Sequence, residues 1–178
     1  MKIVNVIQIL KHKIKMNLLK KRGIQFGKNC YILTNYKTSF GSEPYLIKMG
    51  DNVLISAHCF LCPHDGGTWT VNNLYKTNYD RIGPIVIGNN VYIGYGCTIF
   101  GNVNIGNNVI VGSNSVVTRD IPDNSVCAGV PAKVICSIEE YKEKNMNLFD
   151  ETFSFSTKDK KKYYLKKYND QIRDECKG

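Results

Sequence analysis

The stretch Cys62-Pro63-His64-Asp65-Gly66-Gly67-Thr68-Trp69 holds one of three histidines and the only tryptophan of the chain. An imidazole with an ordinary pKa of about 6.5 stays largely neutral at pH 7, which suits a general base. His64 is therefore a candidate proton acceptor. Asp65 could orient that imidazole or bind a substrate, and the residue types do not separate the two. Trp69 offers a flat apolar face to a ligand, or an anchor for its own loop. Gly66 and Gly67 free the backbone for close approach to reacting atoms, or for a turn. His58 is a rival base, and Asn72 is a further polar candidate nearby. His58-Cys59-x2-Cys62-x-His64 also offers two sulfurs and two nitrogens, as zinc sites do.

These residues stand where a regular count breaks off. Residues 87–122 divide into sixes: IGNNVY, IGYGCT, IFGNVN, IGNNVI, VGSNSV and VTRDIP. Each block opens on Ile or Val and places a small or branched residue four positions on. The same frame runs earlier as MGDNVL, ISAHCF and LCPHDG, with a weaker copy, FGKNCY and ILTNYK, from Phe26. A period of six fits neither a helix nor an alternating strand, but it fits a short strand with a corner every six residues. Three such sides make a triangular coil, and stacked coils bury an aliphatic ladder along each side. In this frame Cys59 stands with Val53, Val91 and Val109 facing the core, so Cys59 and Cys62 do not converge and no metal is expected. His58 falls at a corner held elsewhere by Asn or Gly and is expected to point outward.

From Leu61 to Ile87 is 26 residues, one block plus twenty, so a loop over 64–84 is predicted to leave the coil, with Gly83-Pro84 turning back. A long polar and aromatic excursion from a rigid scaffold is where function concentrates. The gap from Phe26 to Met49 is 23, one short of a multiple of six. A distorted wall is expected around TSFGSEPY, and no function is read from it.

The net charge of +9 sits in one place. Residues 1–22 carry seven bases and no acid, 23–136 seven bases and six acids, and 137–178 ten bases and nine acids. A basic arm on a near-neutral body, without aromatic-basic interleaving, is not a nucleic-acid binder. The arm sets Ile3, Ile7, Leu10, Ile14 and Leu18 at helical spacing. It could pack on the domain or a partner subunit, or rest on an anionic membrane surface. Asn5, Gln8 and the lysines keep it from spanning a bilayer or acting as a signal peptide. His12 is expected to be solvated. Seven scattered cysteines, an odd number, fit free thiols in a reducing cytoplasm. SIEEYKEKN opens like a capped helix, and KDKKKYYLKKYNDQIRDEC reads as another whose lysine run is a solvated face. The expected division is a basic helix over 1–22, a repeat domain over 23–136 and a helical extension over 137–178.

The run from IGNNVYIGYGCT to AGVPAKVI, residues 87–135, resembles the hexapeptide-repeat acyltransferases. HDGGTW, a loop and GPIVIGNNVYIG are most similar to the polysaccharide O-acetyltransferases, with galactoside and xenobiotic acetyltransferases nearby. The resemblance covers residues 24–136. It implies an all-β solenoid, a left-handed parallel β-helix with an extruded loop and flanking N- and C-terminal helices. It further implies acetyl-CoA as co-substrate and a sugar hydroxyl as acceptor, in capsule, exopolysaccharide or O-antigen biosynthesis. Transfer would be direct, with His64 as general base and Asp65, Trp69, His58 and Asn72 on the acceptor side.

The positions matching the CoA groove are Gly94, Gly112, Ser113, Ala128, Gly129, Pro131 and Lys133. Small residues let pantetheine amides reach the backbone, and Lys133 can meet a 3′-phosphate as a point charge or serve as a surface lysine. Tyr92 stands where many relatives carry Trp. The resemblance also implies a homotrimer with sites between subunits, cytoplasmic and able to touch the inner membrane face through residues 1–22. N-acylation of an amino sugar and acetylation of an antibiotic are alternatives. A non-catalytic scaffold or binding module would need neither the His-Asp-Gly-Gly loop nor the AGVPAK exit.

Overall fold

A computed structural model describes the backbone of residues 2–173 and the side chains of residues 10–172. The side chains of Ile3 and Ile7, and all of Cys176, lie outside the described residues. Two compact units divide at Tyr141/Lys142. The first opens with helix α1 (Lys2–Lys21), followed by β1 (Gln25–Phe26), β2 (Tyr31–Ile32), β3 (Ile47–Met49), β4 (Val53–Ile55) and β5 (Phe60–Cys62). Helix α2 (Thr68–Tyr75) interrupts the coil, which resumes with β6 (Ile85–Ile87), β7 (Val91–Ile93), β8 (Thr98–Phe100) and β9 (Val103–Ile105). Strands β10 (Val109–Val111), β11 (Val116–Val117), β12 (Ser125–Gly129) and β13 (Ala132–Ser137) complete it.

These strands form three sheets, ordered β1-β3-β6-β9, β13-β12-β10-β7-β4-β2 and β11-β8-β5. Every pairing is parallel except β12 with β13. From β3 to β11 successive strands visit the three sheets in turn, so the chain winds as a triangular solenoid. The six-residue count is the register. Ile47, Ile85 and Val103 stack on one side, and Ile55, Ile93 and Val111 on the next. All of these side chains are buried, as are Leu61, Ile99 and Val117 on the third side.

The corners explain the recurring Asn. Asn29, Asn52, Asn90, Asn108 and Asn124 all sit at positive φ, where Asn costs least after Gly. Unlike Gly they also join side chain to side chain, each Nδ2 donating to the Oδ1 of the next at 2.7–3.1 Å. Beside them Asp51, Asn89, Asn107 and Asp123 each accept a backbone N–H from the coil before at 2.7–2.9 Å. Asn90→Ala keeps the strained φ and loses both ladder contacts. It is expected to destabilise by about 1–2 kcal/mol, read as a lower urea midpoint at unchanged slope.

The N-terminal end of the coil is closed by α1, whose Leu19 is fully buried beside Ile24 and Phe40. Lys15 Nζ donates to Thr34 O at 2.6 Å, and burial lowers its pKa. His12 is not simply solvated: its ring stacks on Tyr31 with centroids 5.2 Å apart. The buried thiols serve packing. Cys59 Sγ donates to Gly94 O and Cys97 Sγ to Gly112 O, and burial pushes the Cys127 thiol up to about 11.

After β13 comes α3 (Ile138–Asn145), opened by a reciprocal cap: Ser137 N donates to Glu140 Oε2 and Glu140 N to Ser137 Oγ. The second unit carries α4 (Thr157–Lys167) and α5 (Asn169–Arg173).

Candidate active site

Where the count is one residue short, no strand forms beneath β5. Residues 35–43 instead run irregularly under it. Ser39 O accepts from Leu61 N at 2.8 Å, and Phe40 fills the core. This irregular run delivers Gly41, Ser42 and Glu43 to the end of β5, where Pro63 and His64 leave the coil. His64 Nδ1 lies 2.8 Å from Glu43 Oε2 and 3.2 Å from Ser42 Oγ. The His64 and Glu43 side chains are 35% and 15% exposed, so the pair is shielded but still reachable. Burial alone would raise the Glu43 carboxyl. Hydrogen bonds with Ser42 and His64 outweigh it and hold the carboxyl below the ordinary glutamate range. With Glu43 ionised, Nδ1 must carry the proton, which leaves the lone pair of the neutral ring on Nε2.

Gly41 sits at φ +56, and a Cβ there would stand 2.9 Å from Pro63 Cδ and 3.4 Å from His64 Nδ1. Arg22, from the basic arm, donates to Tyr36 O and to Gly41 O, the latter at 3.1 Å. One cation of the N-terminal run therefore fastens the segment that carries Glu43.

The excursion is pinched at its base. His64 bridges Ile82, Asp65 N donates to Arg81 O at 2.8 Å, and Gly83 N donates to Pro63 O at 2.7 Å. Where a loop is expected, helix α2 forms. Asn72 holds its end: Oδ1 accepts from Thr77 Oγ1 and Tyr79 N, and Nδ2 donates to Tyr79 O. Trp69 projects from α2 with 76% exposure. Asp65 does not meet the imidazole. One of its oxygens accepts from Gly67 N and the other from Arg81, at 2.9 and 3.0 Å. His64, Asp65 and Arg81 line a cleft of about 220 Å³ with Pro63, Phe100, Asn102 and Thr118.

His58 is elsewhere. It occupies a corner at φ 59, at the opposite end of β5 from His64, with its ring 5.0 Å from that of Tyr95. Next to Tyr95 lies Gly94, the start of a column of small residues. Gly94 N donates to Val111 O and Gly112 N to Cys127 O. A Cβ on Gly94 would come within 2.6 Å of Ser113 N, and one on Gly112 within 2.9 Å of Ala128 Cβ. Gly129 ends β12 opposite Ala132, Pro131 lies in the β12–β13 turn, and Lys133 pairs with Ala128 in the ladder with its side chain exposed. The candidate donor residues thus gather at the start of the β5–β8–β11 sheet, and His64 with its cleft lies at its end.

Residues 84–119 match the bacterial transferase hexapeptide family (six repeats). The chain is 41% identical to protein CapG of Staphylococcus aureus over 164 residues, 92% of this chain and 95% of CapG. The chain belongs to the hexapeptide-repeat transferase family. This transferase is also 39% identical over 118 residues to galactoside O-acetyltransferase of Escherichia coli (strain K12). That match takes in 65% of this chain and spans 57% of the relative. Among solved structures it resembles the hexapeptide-repeat acetyltransferase VCA0836 of Vibrio cholerae, complexed with acetyl coenzyme A. The TM-score is 0.51 and the identity 26%, over 65% of this chain and 60% of that one. Membership implies the left-handed sense of the coil.

Sequence reasoning passed over Glu43, Ser42 and Arg22 in this transferase. The usable signal was the missing residue between Phe26 and Met49, because a shortened wall one coil below His64 marks where the chain leaves the repeat. Phe100, Asn102 and Thr118 were read only as repeat positions, though their outward faces line the cleft.

Proposed function

We propose that the chain is an acetyl-CoA-dependent O-acetyltransferase acting on a sugar hydroxyl, in surface-polysaccharide biosynthesis on the cytoplasmic side. The observation that carries this is the Glu43–His64 contact at the rim of a cleft. In the proposed step Nε2 of His64 takes the hydroxyl proton as that oxygen bonds to the thioester carbonyl carbon. The carbon–sulfur bond then breaks, and the proton passes from His64 to the leaving thiolate. No covalent enzyme intermediate is needed, and Glu43 offsets the transient charge on the imidazolium.

Phe100 offers the cleft a partly exposed aromatic face, and the Asp65–Arg81 pair, Asn102 and Thr118 supply polar groups. A sugar ring needs that mixture of apolar and hydrogen-bonding faces. The named activity of galactoside O-acetyltransferase supports a sugar acceptor, and the VCA0836 complex supports the donor. The column from Gly94 to Ala128 is separated from His64 by a strand about three residues, or ~10 Å, wide. A donor lying on that column meets His64 most directly if the histidine comes from another copy. That supports sites between subunits, as in the homotrimer that the family resemblance implies.

Acetyl-CoA at about a hundred times its Kd is expected to raise Tm by roughly 5–10 °C. No shift at millimolar ligand removes the donor assignment. Thiol release should then be screened against nucleotide sugars, oligosaccharides and amino sugars. Turnover confined to amino sugars would move the reaction to N-acylation.

A further inference from the structure

We propose that the face of α4 and α5 formed by Phe155, Leu165, Tyr168 and Ile172 is a docking surface for an anionic lipid bilayer, entered at the headgroup level. Two faces of α4, which meet at Tyr164, carry the argument. One is spent within the second unit: Tyr163 Oη donates to Asp150 Oδ1 at 2.8 Å, and Lys167 Nζ reaches both Asp150 oxygens at 2.7 Å. Tyr164 Oη bonds Thr152 Oγ1 at 3.0 Å, and Thr152 is buried. The side chains at 157, 161, 164, 165, 168 and 172 follow one helical stripe and line an open groove of about 580 Å³ with Phe155. Its apolar members stay in water, with Leu165 and Ile172 half exposed and Phe153 nearby fully exposed.

The charges on this unit are sorted in the same way. Asp159 is used at the helix start, where its N–H donates to Ser156 Oγ and Oδ2 accepts from that hydroxyl. Asp150 is held below its usual range by Lys167 and Tyr163. Among the described residues no ion pair joins an acid to the lysines that flank the groove, Lys160 and Lys161, or to their neighbours Lys158, Lys162 and Lys166. An apolar stripe with tyrosines at its edge and, among the described residues, lysines outside any ion pair beside it complements an anionic interface. No described helix is long and apolar enough to cross a membrane, so the contact is interfacial.

Helix α1 is the competing surface. It spends Lys15, Arg22 and Leu19 on the solenoid but leaves Leu10 and Ile14 exposed.

Flotation of the full chain with vesicles tests the proposal. Binding is expected to phosphatidylcholine vesicles containing about 30% phosphatidylglycerol and not to phosphatidylcholine alone. It should weaken as salt rises from about 0.1 to 0.5 M. The triple variant Lys160→Glu/Lys161→Glu/Lys162→Glu should lower partitioning at least ~100-fold. Leu165→Ser/Ile172→Ser should lower it at least ~10-fold. The acetyl-CoA thermal shift should survive in both variants, which reports an intact fold and separates this proposal from the catalytic one. Equal binding to both vesicle types, or none, overturns it. So does loss confined to Leu10→Ser/Ile14→Ser, which moves the contact to α1. A change of oligomeric mass in Leu165→Ser/Ile172→Ser without vesicle binding by the parent also overturns it, by assigning the groove to a second copy.

Discussion

His64→Ala is expected to cut kcat at least ~100-fold while the thermal shift given by acetyl-CoA is kept, in line with what a positioned general base contributes. The imidazole lies at the rim of the cleft, and the small-residue column lies across a whole strand from it. Removing the ring therefore takes away the proton acceptor without touching the donor column. Its side chain is partly exposed and contributes little to the core, so the variant should fold. Near-parental turnover would remove the base role from His64. His58→Ala is the matched control. Its ring packs on Tyr95 at the other corner, so an effect there should appear in KM for the donor rather than in kcat.

Glu43→Gln is expected to lower kcat by about 10- to 100-fold and to lower Tm modestly. The amide nearly matches the carboxylate in shape but gives up the charge that faces Nδ1 at 2.8 Å. The pH dependence carries the sign. A carboxyl held below its ordinary value contributes its stabilisation fully above about pH 4.3, and loses it as pH falls through the lowered folded value. At neutral pH the parent therefore has the full benefit and the variant has none. A structural role alone would change Tm and leave kcat in place. Parental kcat would show that Glu43 is not the partner that orients the base.

The two expectations were not equally readable in the chain. The solenoid could be read almost wholly from local spacing. An inward aliphatic every sixth residue is a register condition, and the same positions, Ile87 through Val117, turn out to be stacked and buried. The corner Asn residues are also local, since positive φ and a short amide suffice. Helix α2 was less readable. It buries no residue, and its end depends on Asn72 reaching Thr77 and Tyr79, so no apolar period announces it.

What surrounds His64 depends on which coil lies beneath it. Asp65 is its chain neighbour yet binds Arg81, and Glu43, 21 residues earlier, takes the imidazole. His58 holds the same fourth place in its six-residue block as His64 does in the next, yet it lies at the other end of β5, because one strand lies between them. By itself the sequence determined the repeat, the place where it breaks and the family that follows from both, because a periodic core is written in nearest-neighbour spacing. Only the tertiary structure decided the partner of the imidazole, the walls of the cleft and the separation of donor column from base. Those contacts join residues a full coil apart, where stacking, and not spacing along the chain, decides which side chains meet.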